Sequence, residues 1–516
     1  MRPLLHFLNF LFVLLLPFFS PATTYYVAGN GNDSNAGTST AQPFQSIARA
    51  NALSLNPGDS LLFRRGDAFL GSLSINDNGT SANPIYVGGY SVGAMPTFYG
   101  GPPLNGWSLH QGAIFKRHLT ETPGVLTVDG VPTMLARHPN AGWAYLDLGN
   151  PNTIALDTAR IGDPDWTGAH LLIMENDWSL NPFTVANFNA STGLFTLNSG
   201  INALNTSTHI EYYVVNHLAA LDSPGEWFYD SVTDTLFLWT LQSDSPDNHL
   251  VRGAAEDYGV FVNGDYVHVE GLRMRNYAHS GVRFNNRHHV EVRENDIGNV
   301  RRFGVYSLFG EENIVRGNTI TNTGLYGILG FDSPDALVED NVVEDIGTAR
   351  QISELGLGTS GGSGIRLSGD RNVFRHNHVR NVGYLGLHFG GESVVVEENS
   401  LRYFCQTNWD GGAIYTWNED FDSTGSAGTV IQRNIIVGGM NDSVPRFPDD
   451  RAAHGIYTDD RIHDVQIEDN FVAQTTRGIF LHNNQRVEAR GNELYNNWQN
   501  DVRLTTDAIV SEGDMV

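Results

Sequence analysis

Asparagine returns along the second half of this chain with a period that few folds can accommodate. Asn295, Asn318, Asn341, Asn377, Asn399, Asn434, Asn470 and Asn492 are separated by 23, 23, 36, 22, 35, 36 and 22 residues. A track of small residues runs beside them, at Gly259, Gly281, Gly304, Gly327, Gly364, Gly386, Ala413, Gly455 and Gly478, each followed by Val, Ile or Leu. The short steps are single coils; the long ones are coils carrying an inserted loop. Such a period, built on strand-like stretches such as HHVEVREN and ALVEDN, specifies a stacked solenoid rather than a sandwich. Leucine-rich repeats share the period, but their leucine framework is missing here. Asparagine in a tight turn tolerates left-handed backbone and can bond the coils above and below. The expected fold is therefore all-β, a right-handed parallel β-helix (a pectate-lyase-like solenoid). Ile365, Leu387, Ile414, Ile456 and Ile479 should point inward and stack, and strand edges should be paired everywhere except at the two ends.

The remaining segments are assigned around this ladder. Residues 1–22, MRPLLHFLNFLFVLLLPFFSPA, carry Arg2, an apolar run from Leu4 to Phe19, and small residues at Ser20 and Ala22. That is a secretory signal with cleavage expected after Ala22, too short and too interrupted by His6 and Asn9 for a membrane anchor. The protein is accordingly expected to be secreted or periplasmic, with no membrane attachment after cleavage. Residues 23–104 are an N-terminal cap and the first coils, as PGDSLLFRRGDAFLGSLSI and ANPIYVGGY suggest. Residues 105–250 lack a clean period and are rich in Trp, Asn and Thr, which reads as an inserted β-rich module; SPGEWFYDSVTDTLFLWT within it is a hairpin turning at Ser231–Asp234. Residues 251–500 are the main solenoid, and 501–516 a polar tail expected to fray.

Charge narrows the choice of partner. The 516 residues include 31 Lys+Arg against 57 Asp+Glu, a formal net charge of -26. An acidic surface of this kind argues against nucleic acid or anionic lipid. Cys405 is the only cysteine, so the exported chain stands without an internal disulfide. A monomer is expected.

On a strand, alternate side chains face outward. Two residues beyond each small-track position stand Arg283, Tyr306, Leu329, Arg366, His388, Tyr415, Tyr457 and Phe480; two further stand Trp417, Asp459 and His482 in the last coils. Adjacent coils lie ~4.8 Å apart, so His388, Tyr415 and Tyr457 should form an exposed stripe with Trp417, Asp459 and His482 beside it. Aromatic rings stack on sugar faces, and imidazole and carboxylate bond hydroxyls. Arg366, His388, Tyr415, Trp417, His454, Tyr457 and His482 are the candidate glycan contacts. The motif NWDGGAIYTWNED (408–420) places Asp410 before one strand of this face and Glu419 and Asp420 after it, while Asp459 and Asp460 follow the equivalent strand one coil later. Glycosidic cleavage needs a protonated carboxyl and an ionised one, and clustered acids raise one another's pKa. Asp410, Asp459, Asp460 and Glu419 are thus the catalytic candidates. No metal ligand set is expected: neither His288–His289 nor His376/His378 has acidic partners at a diagnostic spacing. The glycines of GTSGGSG (358–364) do not open a helix, so phosphate binding is not expected.

Three stretches carry a family resemblance: YYVAGNGNDSNAG, VDGVPTMLARHPNAGW (128–143) and PGEWFYDSVTDTLFLWT (224–240). They resemble secreted right-handed β-helix carbohydrate-active proteins, the last two being most like those of glycoside hydrolase families 120 and 141. The resemblance implies a polysaccharide or oligosaccharide substrate, a pair of acidic residues and no required cofactor. Two other classes remain open from the residues alone. One is a polysaccharide lyase acting on alginate or another uronate polymer by β-elimination, recruiting Arg366, His388 and Tyr415, with Ca2+ to neutralise the substrate. The other is a non-catalytic glycan-binding surface protein.

Overall fold

The computed structural model describes residues 21–150, 153–201, 210–348, 356–358, 361–418, 425–439 and 452–506. Most of the expected signal segment, Glu419 and Asp420 lie outside the described residues. Each coil gives one strand to each of three parallel sheets, of 12, 11 and 11 strands. Val267–Glu270, Arg273–Tyr277 and Ser280–Asn285 are one such coil, on the first, second and third face in turn. The expected inward residues Ile365, Leu387, Ile414, Ile456 and Ile479 are all buried in one continuous core. Among the described residues no helix is long and apolar enough to cross a membrane.

The asparagine ladder forms at the corner between the first and second faces. The Nδ2 group of Asn295 donates to Asn318 Oδ1 (3.1 Å), Asn318 to Asn341 (3.0 Å) and Asn341 to Asn377 (3.0 Å). The chain of bonds continues through Asn399, Asn434 and Asn470 to Asn492. Inserted loops are extruded without interrupting it: the 36-residue step from Asn341 to Asn377 bonds as well as the 23-residue steps. One expectation needs correction. The asparagines do not adopt the left-handed conformation; the residue before each does, from Glu294 (φ 53°) and Asp340 (57°) to Arg433 (54°) and Asp469 (54°). That residue turns the corner, so the asparagine keeps ordinary backbone angles and aims its amide along the stack.

Asn434 shows what the ladder contributes. It is buried, donates to Val396 O and Asn470 Oδ1, and accepts from both the backbone N–H and the Nδ2 of Asn399. Asn434→Ala leaves several of these buried groups unpaired, at ~1–3 kcal/mol each. A loss of about 2–5 kcal/mol is expected, readable as a lower urea midpoint followed by circular dichroism.

The small-residue track has a steric cause. A Cβ on Gly304 would stand 2.4 Å from Ile320 Cγ2 and 2.5 Å from Gly327 O, and one on Gly327 would meet Val343 and Gly364 O at 2.4 and 2.6 Å. Third-face strands therefore bend at these positions, bringing backbone against the core of the second face.

The N-terminal coil stacks directly on the main ladder. Leu73 pairs with Val260, Ile85 with Val267 and Thr97 with Arg273, all parallel. Strands between Ser108 and Gly253 form three further sheets, of 3, 5 and 8 strands, with a core of their own around Trp166, Leu171, Phe195 and Tyr212. In the five-stranded sheet Glu226–Asp230 and Thr235–Trp239 are the antiparallel hairpin. The expectation of a frayed tail is corrected at its start: Asn500–Thr505 is a strand, paired with Arg477–His482. Its polar side chains suit a terminal coil, where backbone pairing on one side is enough to order the strand.

The outer side of the first face carries a lattice of opposite charges. Arg293 pairs with Glu270 (2.6 Å), Arg316 with Glu291 (2.5 Å) and Arg375 with Glu339 (2.6 Å). Acids there are satisfied by arginines one coil away. The third face differs.

Candidate active site

On the third face the strands Leu387–Gly390, Gly411–Thr416, Ala453–Thr458 and Arg477–His482 lie side by side in register. His388 is opposite Tyr415, Tyr415 opposite Tyr457, and Tyr457 opposite Phe480. Their rings pack on one another: His388 on Tyr415 edge to face (5.1 Å between centroids, 83°), Tyr415 on Tyr457 (5.3 Å, 81°), Tyr457 stacked on Phe480 (4.7 Å, 28°). His388, Tyr415 and Tyr457 of this column floor a cavity of about 510 Å3. Strict alternation would turn His454 inward, like Ile456. The bend at Gly455 resets the sequence of faces, so His454 packs outside against Tyr457 and Phe480.

The expected exposed stripe is thus corrected to a recess. His388 is 6% exposed and Tyr457 3%, whereas Trp417 is 41% exposed. Two things cover the column: the rings shield one another, and the β-rich sheets send a hairpin over them. His170–Asn176 and Ser179–Asn189 are the arms of that hairpin, with Asp177 and Trp178 at its tip. Asn408 Nδ2 donates to Trp178 O (2.9 Å) and Trp409 N–H to Asp177 O, while Leu180 exchanges backbone bonds with Gly358. Trp178, Tyr384 and Leu385 join the expected contacts Arg366, His388, Tyr415, Trp417, Tyr457 and His482 in lining the cavity. The expected contact His454 is corrected to a fully buried residue behind the lining, covered by the Tyr457 and Phe480 rings. Sequence reading missed Trp178, Tyr384 and Leu385. Adjacency in the fold brings them in, and only a tryptophan at a hairpin tip hinted at the first.

Asp410, Asp459 and Asp460 all line the cavity, but they do not share one position. The register places Asp410 at the start of one strand and Asp459 at the end of the next: Gly411 pairs with Ala453, and Asp459 N–H donates to Thr416 O. The phenol of Tyr457 lies between and is pushed far above its usual range, by burial first and then by both aspartates. Asp410 has left-handed backbone (φ 49°), and its Oδ1 is 3.8 Å from His454 Nε2. Burial pushes the His454 pKa down, against the pull of Asp410. His388 is likewise held well below the usual imidazole range, by burial and then by Arg366.

Asp459 is the most elaborately bonded acid of the group. Its Oδ2 accepts from the Tyr415 hydroxyl (2.9 Å); its Oδ1 accepts the Asp460 backbone N–H (2.9 Å) and lies 2.7 Å from His482 Nδ1. Burial alone would raise its pKa, but the bonds from His482 and Tyr415 hold it below the usual carboxylate range. The expectation that clustering raises the acids is therefore corrected for Asp459, where donors outweigh neighbours. Asp460 is turned aside to Asn483 Nδ2 (2.7 Å). Asp459, Asp460 and His482 could each offer a cation one ligand atom, all within 4.8 Å of one another. Glu419 lies outside the described residues.

Comparison with known proteins locates this architecture. Residues 248–424 and 359–511 match the family described as right handed beta helix region. A solved structure described as a glycoside hydrolase superposes with a TM-score of 0.68 at 12% identity, over 92% of this chain and 96% of that one. A second, the complex structure of XylC with xylose, gives 0.52 at 13% identity, over 87% of this chain and 75% of that one. These likenesses are of fold. A 76-residue stretch is 42% identical to the lacto-N-biosidase of Bifidobacterium longum subsp. longum, spanning 14% of this chain and only 5% of that protein's length.

Proposed function

The chain belongs to the right-handed β-helix family, and we propose that the third-face cavity is the active site of a glycoside hydrolase acting on a polysaccharide or oligosaccharide. The observation that carries this reading is the pairing of an aromatic-floored recess with carboxylates in unlike surroundings at its two ends. Sugar rings stack on aromatic faces, and glycosidic cleavage needs one acid that donates a proton and one that stays ionised. Asp459, with three donors on its oxygens, is the ionised member, acting as nucleophile or as base toward water. Asp410 is assigned the proton donor to the leaving oxygen. The backbone N–H of Asp460 and the His482 side chain position Asp459, while Trp178, Trp417 and Tyr457 hold the sugar. Arg366, His388 and Tyr415 complete the recess, and buried His454 backs Asp410. The relatives described as a glycoside hydrolase and a lacto-N-biosidase are consistent with this class of chemistry. No cofactor enters the mechanism, and the chain is proposed to work as an exported monomer.

Lyase chemistry has Arg366, His388 and Tyr415 in the same cavity, but the candidate bases are poorly suited. The Tyr415 phenol donates to Asp459 and is pushed well above its ordinary pKa by burial. His388 is buried and has little affinity for a proton. Product analysis on a panel of plant, algal and bacterial glycans separates the readings. New reducing ends without ultraviolet-absorbing unsaturation are expected. Unsaturated ends would establish a lyase, for which Ca2+ dependence would then be tested; binding without any product would leave a glycan-binding protein.

A further inference from the structure

A second recess, of about 690 Å3, opens at the corner between the second and third faces. In most coils this corner is turned by a residue suited to left-handed backbone: Asn276, Asn299, Asn322, Asp345 and Asn381 have φ between 54° and 62°. At the next coil the column changes to Tyr403, with φ 55°. A bulky residue seldom takes this conformation, and such outliers concentrate where a side chain is needed in one particular place. Core packing does not supply the need, because Tyr403 is 49% exposed. Its ring leans over the following coil, where Gly438 leaves room; a Cβ there would stand 3.4 Å from the ring. Across the recess Trp498, on a last coil, is 37% exposed. The corner residues run from Tyr403 through Gly438 and Gln474 to Asn496, three coil steps or ~14 Å at ~4.8 Å each.

The lining is largely amide, with Asn381 one coil before Tyr403 and Gln406, Gln474 and Asn496 on the coils from Tyr403 onward. Its charged members are Asp345, which accepts from Asn381 Nδ2, and Arg380, which is paired with Glu344 at 2.9 Å. In a chain of net charge -26 this is a nearly neutral strip. Amide groups both donate and accept, as the hydroxyls of a sugar require, and aromatic faces at the two ends offer stacking surfaces. Neither a polyanion nor a polycation would find compensating charge there.

We propose that this corner recess is a non-catalytic binding site for a neutral glycan strand lying along the helix axis, with Tyr403 and Trp498 as its stacking platforms. The segment Cys405–Trp409 runs from this corner to Asp410, so a polymer held here is kept beside the third-face cavity. Binding at the recess does not depend on the catalytic reading, because the measurement requires no turnover.

The test is affinity electrophoresis of the full chain in gels containing arabinoxylan, galactomannan or polygalacturonate. Wild type should be retarded by at least one neutral polymer, and the variant carrying Tyr403→Ala and Trp498→Ala should lose at least threefold of that retardation. Because both side chains are exposed, its melting temperature should be unchanged. Turnover of a short oligosaccharide cleaved by wild type should also be unchanged. Retardation by polygalacturonate alone, by none of the three polymers, or equally in the variant would overturn the proposal. So would loss in Trp178→Ala with retention in the double variant, which would place the binding in the third-face cavity. Absence of any cleaved glycan would bear on the catalytic reading alone.

Discussion

Asp410→Asn and Asp459→Asn are each expected to lower kcat/KM by roughly 10²–10⁴-fold, the usual contribution of a positioned acid or base. The two should differ in their other consequences. Among the described residues the nearest side-chain partner of Asp410 is His454, with Nε2 at 3.8 Å, so its amide variant should lose less thermal stability than the Asp459 variant. Asp459 accepts from Tyr415, His482 and the Asp460 N–H. An amide there turns one acceptor into a donor facing donors, and some thermal stability should go with the activity. Asp460→Asn is the control: it lines the same cavity, but its side chain is turned to Asn483, and turnover should stay within a few-fold of wild type. Kinetics on a substrate found by product analysis, with circular dichroism of each variant, decide the matter. Near-normal turnover in Asp410→Asn would remove it from the pair, and inactivity in Asp460→Asn beside an active Asp459→Asn would exchange their roles.

Acidification from pH 7 to pH 5 is expected to destabilise the protein steeply. His388 and His454 are buried, and both have folded-state pKa values below the ordinary 6.5. Around His388 stand Arg366 and the Tyr415 ring; around His454 stand Asp410, Arg477, Tyr457 and, more distantly, Asp459. Above pH 6.5 both imidazoles are neutral whether folded or unfolded. Below it the unfolded chain takes up protons that the folded chain does not, so stability falls with falling pH until the folded pKa is reached. Each buried imidazole contributes up to ~1.4 kcal/mol per pH unit, and the pair roughly 2–3. His249, whose pKa is raised by hydrogen bonds to Asp129 and Asp244, acts in the opposite sense and offsets part of this loss. Carboxylates held low, such as Asp464 at about 2, stabilise above their unfolded pKa and matter only below about pH 4. Urea midpoints at pH 7, 6 and 5 measure the slope, and His388→Gln should remove about half of it. A midpoint independent of pH over this range would mean that both imidazoles gain protons in place.

The fold was legible because the solenoid repeats its own instructions. One asparagine and one small residue per coil, each with a local steric or hydrogen-bonding task, suffice to fix period, inward face and outward face. Even the long steps could be assigned as coils with loops, since the ladder must close across them. The corner was misread by one residue: the sequence offers an asparagine that could adopt left-handed backbone, but the Glu, Asp, His, Arg or Gly before it does so instead. That choice depends on where the amide must point, which is a property of the stack.

The site was legible as a face and not as a shape. Alternation along Gly411–Thr416 and Ala453–Thr458 identifies Tyr415, Tyr457 and Asp459 as outward residues, because strand geometry is local. It does not say whether outward means exposed. Tyr457 and His388 are buried because rings of neighbouring coils interlock and because Trp178, 230 residues before its partner Asn408, is carried onto them by a hairpin from another set of sheets. His454 faces the site only because Gly455 bends the strand, and Asp459 is held ionised by donors from two adjacent coils. The coil, its period, its core and the outward side of each strand were written in the residues alone, since all of these follow from interactions repeated every 22 or 23 residues. Tertiary structure alone decided the depth of the recess, the wall supplied by Trp178 and the unlike environments of Asp410 and Asp459, since these arise from single long-range contacts that no period encodes.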